Sequence, residues 1–252
     1  MPDVSTPSLL QEFAINLNER GGTGILVSGG STLQGRVPLD RYISTLRWIK
    51  DNTDLILNIH PGLVDSAMAD AIASTGVDMA SVDLVGSTET VRRVYHLNAK
   101  ADDYRDSLHF LNDAGVHVIP HITVGLDYGE IKGADQALQT AVDLEPEVIV
   151  VNALIPTAGT SMANVIPPPP ETIIGYLQKA VKTGSQVSLG CMRPRHGKPE
   201  LERAAVINGV HRVALPSNST VKWAEGQGYV IKKLDGCCAI PVRLESRALR
   251  PS

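Results

Sequence analysis

Val148-Ile149-Val150-Val151-Asn152-Ala153-Leu154-Ile155 is an apolar run that breaks off in Pro156-Thr157-Ala158-Gly159-Thr160. A near-continuous apolar run ended by a Pro/Gly turn is the pattern of a strand buried on both faces of a parallel sheet. In a barrel of such strands the polar groups at the strand ends gather on one rim, and Asn152 with the turn after it is expected there. Function is sought on that rim.

Similar runs recur along the chain: Gly24 to Ser28, Leu55 to His60, Asp78 to Asp83, Val116 to Val124, Glu147 to Leu154, Gln186 to Gly190 and His211 to Leu215. Between them lie one-sided apolar stripes at helical spacing, such as Ala134, Ala137, Leu138, Ala141 and Leu144, or Ile173, Ile174, Leu177 and Val181. Gly76-Val77-Asp78, Gly115-Val116-His117 and Gly209-Val210-His211 each put a glycine where a helix can end in a left-handed residue before the next strand. The repeat of strand and helix predicts an α/β fold, a (β/α)8 TIM-type barrel over residues 1–241, with 242–252 as a tail.

Seven strands are countable, whereas a closed barrel of this type has about eight. The shortage is at the front. Thr6-Pro7 reads as an N-cap and first-turn proline, opening a helix with Leu9, Leu10, Phe13 and Leu17 on one face. The first strand is therefore expected to be missing. Another segment fills its place, the barrel stays open, or the chain begins downstream of the true start.

The 252 residues are 43% hydrophobic, enough for one large core. A net charge of -4 and only 4% aromatics argue against nucleic-acid binding, which uses basic surfaces and stacking platforms. No apolar run approaches the ~20 residues of a membrane span, and Met1-Pro2-Asp3 opens no signal peptide; a cytoplasmic protein without a membrane partner is expected. Three cysteines, Cys191, Cys237 and Cys238, cannot pair evenly, which leaves reduced thiols or metal ligands.

Three segments taken in order carry a family resemblance: Ser28-Gly29-Gly30-Ser31, the Asn152 to Thr160 run, and Leu189-Gly190-Cys191-Met192-Arg193-Pro194-Arg195. Together they resemble the radical SAM superfamily near biotin synthase, and more narrowly the branch that includes two-component lipoyl synthase subunits, over Thr6 to about Ala239. The resemblance implies that Gly29, Gly30 and Ser31 match the segment holding the methionine amino group of S-adenosylmethionine, although Ser31 stands where the family usually has an acid. It implies that Asn152, Leu154 and Pro156 help seat the adenosine, and that Val124-Gly125-Leu126 is the glycine turn after the preceding strand. The family's CxxxCxxC loop, whose thiolates hold a 4Fe-4S cluster, is not in this sequence. That loop follows the first strand in the family, so one cut explains both departures. Intact relatives use S-adenosylmethionine and the cluster for radical chemistry, including sulfur insertion. The chain by itself is expected to be inactive.

The remaining candidates follow from position. His60, His121 and Asp83 end or lie in strands and could face a small-molecule substrate, or serve as a core histidine or a cap. Arg193 and Arg195 flank Pro194 after a strand end, where a guanidinium fork could clamp a carboxylate or pair on the surface. Cys191, Cys237 and Cys238 could meet and hold a metal or auxiliary iron-sulfur centre, or stay free. Pro167 to Pro170 reads as a stiff connector, and Arg243, Arg247 and Arg250 as part of a solvated end. Partners implied are a small molecule or a lipoyl-type carrier domain, and a homologous radical SAM subunit. Two rival functions remain: a radical-independent lyase or aldolase using His60, Asp83 and His121, and a non-catalytic partner subunit.

Overall fold

The computed structural model describes residues 4–249, so the expectations placed on Met1 to Asp3 and on Arg250 lie outside the described residues. Its strands are β1 Gly24–Val27, β2 Ile56–Ile59, β3 Met79–Leu84, β4 Val118–Val124, β5 Val148–Ala153, β6 Gln186–Leu189 and β7 Arg212–Val213. They form one sheet in the order β1-β2-β3-β4-β5-β6-β7, and every neighbouring pair is parallel. Each strand starts and stops within two residues of the run read from the sequence. Helices fill the crossovers, from Ile43–Asn52 between β1 and β2 to Lys198–Ile207 between β6 and β7. The architecture is a seven-stranded parallel half-barrel of TIM type.

Local chemistry sets the boundaries. Thr6 caps the helix Pro7–Glu19 by accepting from Leu9 N at 3.3 Å, with Pro7 in the first turn. That helix buries Leu10 and Ala14, while Leu9 of the expected stripe is exposed. Gly76, Gly115 and Gly209 end their helices at φ of 72°, 82° and 85°, the left-handed region in which a side chain would be strained.

Alternate residues of each strand divide between two cores. Leu57, Ile59, Ala80, Val82, Ile122, Val124, Ile149, Val151, Val187 and Leu189 face outward into the layer covered by helices. Ile56, Met79, Ile119, Val148 and Val150 face inward, where they meet Ala239, Ile240, Leu244 and Ala248. The chain after β7 thus turns back into the barrel and fills its base.

This corrects the expectation of a solvated end. Val242–Leu244 is a 3-10 turn and Glu245–Ala248 a short helix, with Leu244 and Ala248 buried. Polar contacts seat the segment: Arg212 donates to Ile240 O and pairs with Glu245 at 2.7 Å, Arg247 donates to Asp54 O at 2.7 Å, and Val242 N donates to Glu147 Oε1 at 2.5 Å. Thr23, just before β1, reaches Asp235 at 3.4 Å. The segment therefore contacts both β7 and the residue entering β1, the two edges that no strand pairs among the described residues. A later segment covers the apolar base, while β1 and β7 stay unpaired edges among the described residues.

Ile240 is 2% exposed, so Ile240→Ala is expected to lower unfolding free energy by ~2–5 kcal/mol through lost burial and a residual cavity. Val230→Ala, at a residue 93% exposed, is expected to change it by less than about 0.5 kcal/mol. Urea unfolding of both variants checks this; equal effects would mean that the C-terminal segment does not fill the base.

Candidate functional site

The same two-residue period that puts Ile56 and Met79 in the base puts polar groups above them. Asn58 and His60, Ser81 and Asp83, His121 and Thr123, Asn152, and Ser188 all line one cavity of about 1580 Å³ at the C-terminal ends of the strands. Its far wall comes from the chain after β7, including Cys237 and Cys238. Apolar base and polar mouth are two levels of the same strands.

On the β2–β3 side, Asn58 Nδ2 donates to Ser81 Oγ at 2.9 Å, and Asn58 Oδ1 accepts from Ser81 N at 3.2 Å. Both residues are buried, and the paired bonds offset the cost of keeping an amide and a hydroxyl away from water. Asn58 Nδ2 also lies 3.4 Å from Cys237 Sγ.

His60 and His121 meet edge to face, with ring centroids 5.2 Å apart. Burial pushes the His121 imidazole down to about 4, against the opposing pull of Asp83, and the neighbouring His60 lowers it further. Burial lowers His60 as well, again opposed by Asp83. His121 Nδ1 is 3.0 Å from Ile119 O, which fits a proton on Nδ1 and leaves Nε2 as acceptor. Nε2 faces Cys238 Sγ at 3.8 Å. The three strand-end residues singled out in the sequence are thus brought together around a neutral imidazole pair.

The thiols converge on the same wall. Cys191 follows β6 and is exposed; a hydrogen bond from Cys238 is the main reason that its thiol is held down to about 6. Cys238 is pushed up, chiefly by that hydrogen bond and then by burial, and burial raises Cys237. They do not fit an iron-sulfur or other metal centre: among the described residues no three His, Cys, Asp or Glu side chains are arranged to hold a metal ion. Cys237 is turned to Asn58 and Cys238 to His121.

On the β5–β6 side, Asn152 Oδ1 and Ser188 Oγ are buried without a hydrogen-bond partner. A Cβ on Gly190 would lie 2.0 Å from Asn152 Oδ1, so only glycine lets the amide sit there. Leu154 lines the same cavity, and Pro156 follows beyond the strand. Gly29, Gly30 and Ser31 follow β1 and are exposed. Gly125 has φ 80°, and a Cβ there would lie 2.2 Å from Pro168 Cγ, so the connector Pro167 to Pro170 accounts for this glycine by packing.

The arginines part company. Arg193 is 2% exposed, and its guanidinium is committed to the Glu202 carboxylate, to Gly190 O at 2.5 Å and to Ala214 O at 2.7 Å. Glu202 also accepts from Ser217 N at 2.9 Å and Thr220 Oγ1 at 2.7 Å. The fork expected to clamp a substrate carboxylate is closed on one inside the protein, where it ties the β6 turn to the chain after β7. Arg195 is exposed on the surface.

Asn58, Ser81, Thr123 and Ser188 were not singled out by sequence motif. Their signal was the strand period itself: Ile56-Asn58-His60, Met79-Ser81-Asp83, Ile119-His121-Thr123 and Val148-Val150-Asn152 each carry polarity from base to mouth on every second residue.

No protein-family profile matches the sequence, and no curated protein matches it. Among solved structures, methylornithine synthase (PylB) superposes with a TM-score of 0.62 at 17% identity, over 90% of this chain and 73% of that one. HydG, a maturase of the FeFe-hydrogenase, gives 0.64 at 16% identity, over 86% of this chain and 51% of that one. The HMG-CoA lyase from Brucella melitensis gives 0.54 at 13% identity, over 95% and 88%. These likenesses show the fold, and the chain spans about half of HydG.

A histidine held below its unfolded pKa leaves stability intact above that value and loses it as pH falls toward the folded one, because the unfolded chain takes the proton first. His121 is therefore expected to weaken folding between pH 6.5 and about 4, by up to about 1.4 kcal/mol per pH unit. His121→Gln should flatten that part of a stability-against-pH curve from denaturant titration. Arg193→Met, which strands the Glu202 carboxylate, is expected to cost ~3–5 kcal/mol in the same assay.

Proposed function

We propose that this chain is a barrel of the radical SAM class whose mouth holds the adenosine of S-adenosylmethionine. The observation that carries the reading is the pair of unpartnered buried acceptors, Asn152 Oδ1 and Ser188 Oγ, in the mouth wall of a fold shared with methylornithine synthase and HydG. Both of those structural relatives are radical SAM enzymes. Leaving such groups dry costs ~1–3 kcal/mol each, and a ligand with hydrogen-bond donors recovers it.

In this reading Asn152 and Ser188 accept from the nucleoside, Leu154 packs against it, and Gly29, Gly30 and Ser31 offer amides and a hydroxyl at the end of β1. Gly190 keeps the Asn152 amide in position. When bound, S-adenosylmethionine supplies a sulfonium, and the resident groups orient it and keep water from its adenosine. The thiols present do not fit a 4Fe-4S cluster. A first strand bearing CxxxCxxC, on another segment or on a homologous radical SAM subunit, would complete a family enzyme of the biotin and lipoyl synthase branch. Its substrate would be a small molecule or a lipoyl-type carrier domain, in a reducing compartment such as the cytoplasm.

A second reading, an acid–base lyase or aldolase, is favoured by the His60–His121 pair and the adjacent Asp83. A neutral imidazole whose Nε2 is an acceptor, facing here only the weak donor Cys238 Sγ, is competent to take a proton from a carbon acid.

Calorimetric titration with S-adenosylhomocysteine separates the two. Binding by the wild type, weakened at least tenfold in Asn152→Leu with the melting temperature retained, is the expected result. A folded wild type that takes up no ligand at millimolar concentration would remove the first reading, and affinity that depends on His60 but not on Asn152 would favour the second.

A further inference from the structure

Asp83 closes β3 on the inward face, one step beyond the satisfied Asn58–Ser81 pair, and is exposed to the cavity of about 1580 Å³. Among the described residues it takes part in no ion pair and no side-chain hydrogen bond. In the sheet it stands level with His121, and Thr123 stands level with Asn152; all four line the cavity, on strands about 4.8 Å apart. The groups that feel the Asp83 charge are neutral rings. Burial lowers His60 and His121 against its pull, and burial together with that charge raises the phenols of Tyr95 and Tyr104. Tyr95 lines the cavity and packs on Tyr104 with ring centroids 6.4 Å apart. The Lys and Arg side chains on the cavity wall, Arg212, Lys232 and Lys233, all belong to β7 and the chain after it, and Arg212 and Lys232 share Glu245. The β2–β5 side is thus a wall of acceptors and aromatic rings around one carboxylate, with no Lys or Arg among the described residues that line it.

We propose that this wall binds the primary ammonium group of a small-molecule substrate, with Asp83 as its counter-ion and the Tyr95 ring beside it. A carboxylate at the mouth of a cleft with neutral walls attracts a cation more strongly than one on an open surface, because its field is screened less. A tyrosine ring adds the attraction of its quadrupole. The independent sign that the wall awaits a ligand is Asn152 Oδ1, which is buried, faces the same cavity and has no hydrogen-bond partner. Open acceptors therefore run from β3 to β5, at Asp83, Thr123 and Asn152, and they favour an ammonium that carries N–H groups. A fully methylated ammonium would leave them unpaired. A carboxylate or phosphate in the same place would meet Asp83 and be repelled by like charge.

The assignment deepens the mouth reading by naming the class of substrate, and rests on it only in taking the cavity as a ligand site. The full chain at neutral pH is titrated calorimetrically with n-pentylamine, with n-pentanol and n-pentyltrimethylammonium as controls, and separately with adenosine, a nucleoside that has no ammonium group. The wild type is expected to bind the amine saturably and each control at least tenfold more weakly. Asp83→Asn, at an exposed side chain with no internal bond to lose, is expected to weaken the amine at least tenfold and to leave adenosine within twofold. Tyr95→Leu is expected to weaken the amine severalfold, and circular dichroism melts establish that both variants are folded. Amine affinity unchanged in Asp83→Asn, adenosine lost along with the amine in that variant, a control bound as tightly as the amine, or a wild type that takes up no amine at millimolar concentration would each overturn the proposal. Adenosine bound without the amine would leave the adenosyl reading standing; Asp83-dependent amine uptake without adenosine would remove that reading and keep the ammonium site.

Discussion

A parallel sheet that curls into a barrel acquires an inward face that water cannot be allowed to fill, and the packing of Ile240 and Leu244 against Ile56, Met79, Ile119 and Val148 meets that need here. Each such side chain contributes ~1.5–3 kcal/mol on burial, a large part of the ~5–15 kcal/mol by which a domain is stable. With seven strands in the described sheet, the return of the chain after β7 is what keeps the apolar base dry. The ion pairs around it, Arg212 with Glu245 and Arg247 with Asp78, fix where it enters more than they hold it in, since partly exposed pairs add little.

Because the plug stops at the base, everything above it must either be solvated or find a partner. The strands answer on two sides in different ways. At β2 and β3 the inward polar groups satisfy one another, as Asn58 does with Ser81. At β5 and β6 they do not, and Asn152 and Ser188 stay unsatisfied. One wall of the mouth is closed chemistry and the other is open, which is why a ligand is assigned to the second. Histidines 60 and 121 lie between, kept neutral by burial and available as acceptors.

The strands were legible in the sequence because buried parallel strands leave apolar runs, and the glycines at 76, 115 and 209 marked the turns before three of them. His60, Asp83 and His121 were legible as rim residues for the same reason. Arg193 was misread because a guanidinium after a strand end looks the same whether its carboxylate partner is a substrate or Glu202, and the partner comes from a helix later in the chain. Gly125 matched a family turn by position, whereas its contact with Pro168 is a long-range packing fact. The chain after Pro241 was read as solvated because Arg243 and Arg247 dominate its composition. Its buried residues Leu244 and Ala248, which join Ala239 and Ile240 in the base, form no long periodic stripe, and a plug needs only a few side chains of the right shape.

Base and mouth are coupled through four consecutive residues of chain. Cys237 and Cys238 immediately precede Ala239 and Ile240, so the thiols cannot hold their positions beside Asn58 and His121 unless the plug is seated. A local opening of the C-terminal segment would expose the base and dismantle the thiol wall in the same event, at a free energy set by the plug's burial. Any ligand or bond that holds the mouth wall in place must by linkage oppose that opening, and any loss of apolar contact in the base must weaken the mouth. The C-terminal segment is therefore a structural element of the site, its packing residues supporting Cys237 and Cys238 from below.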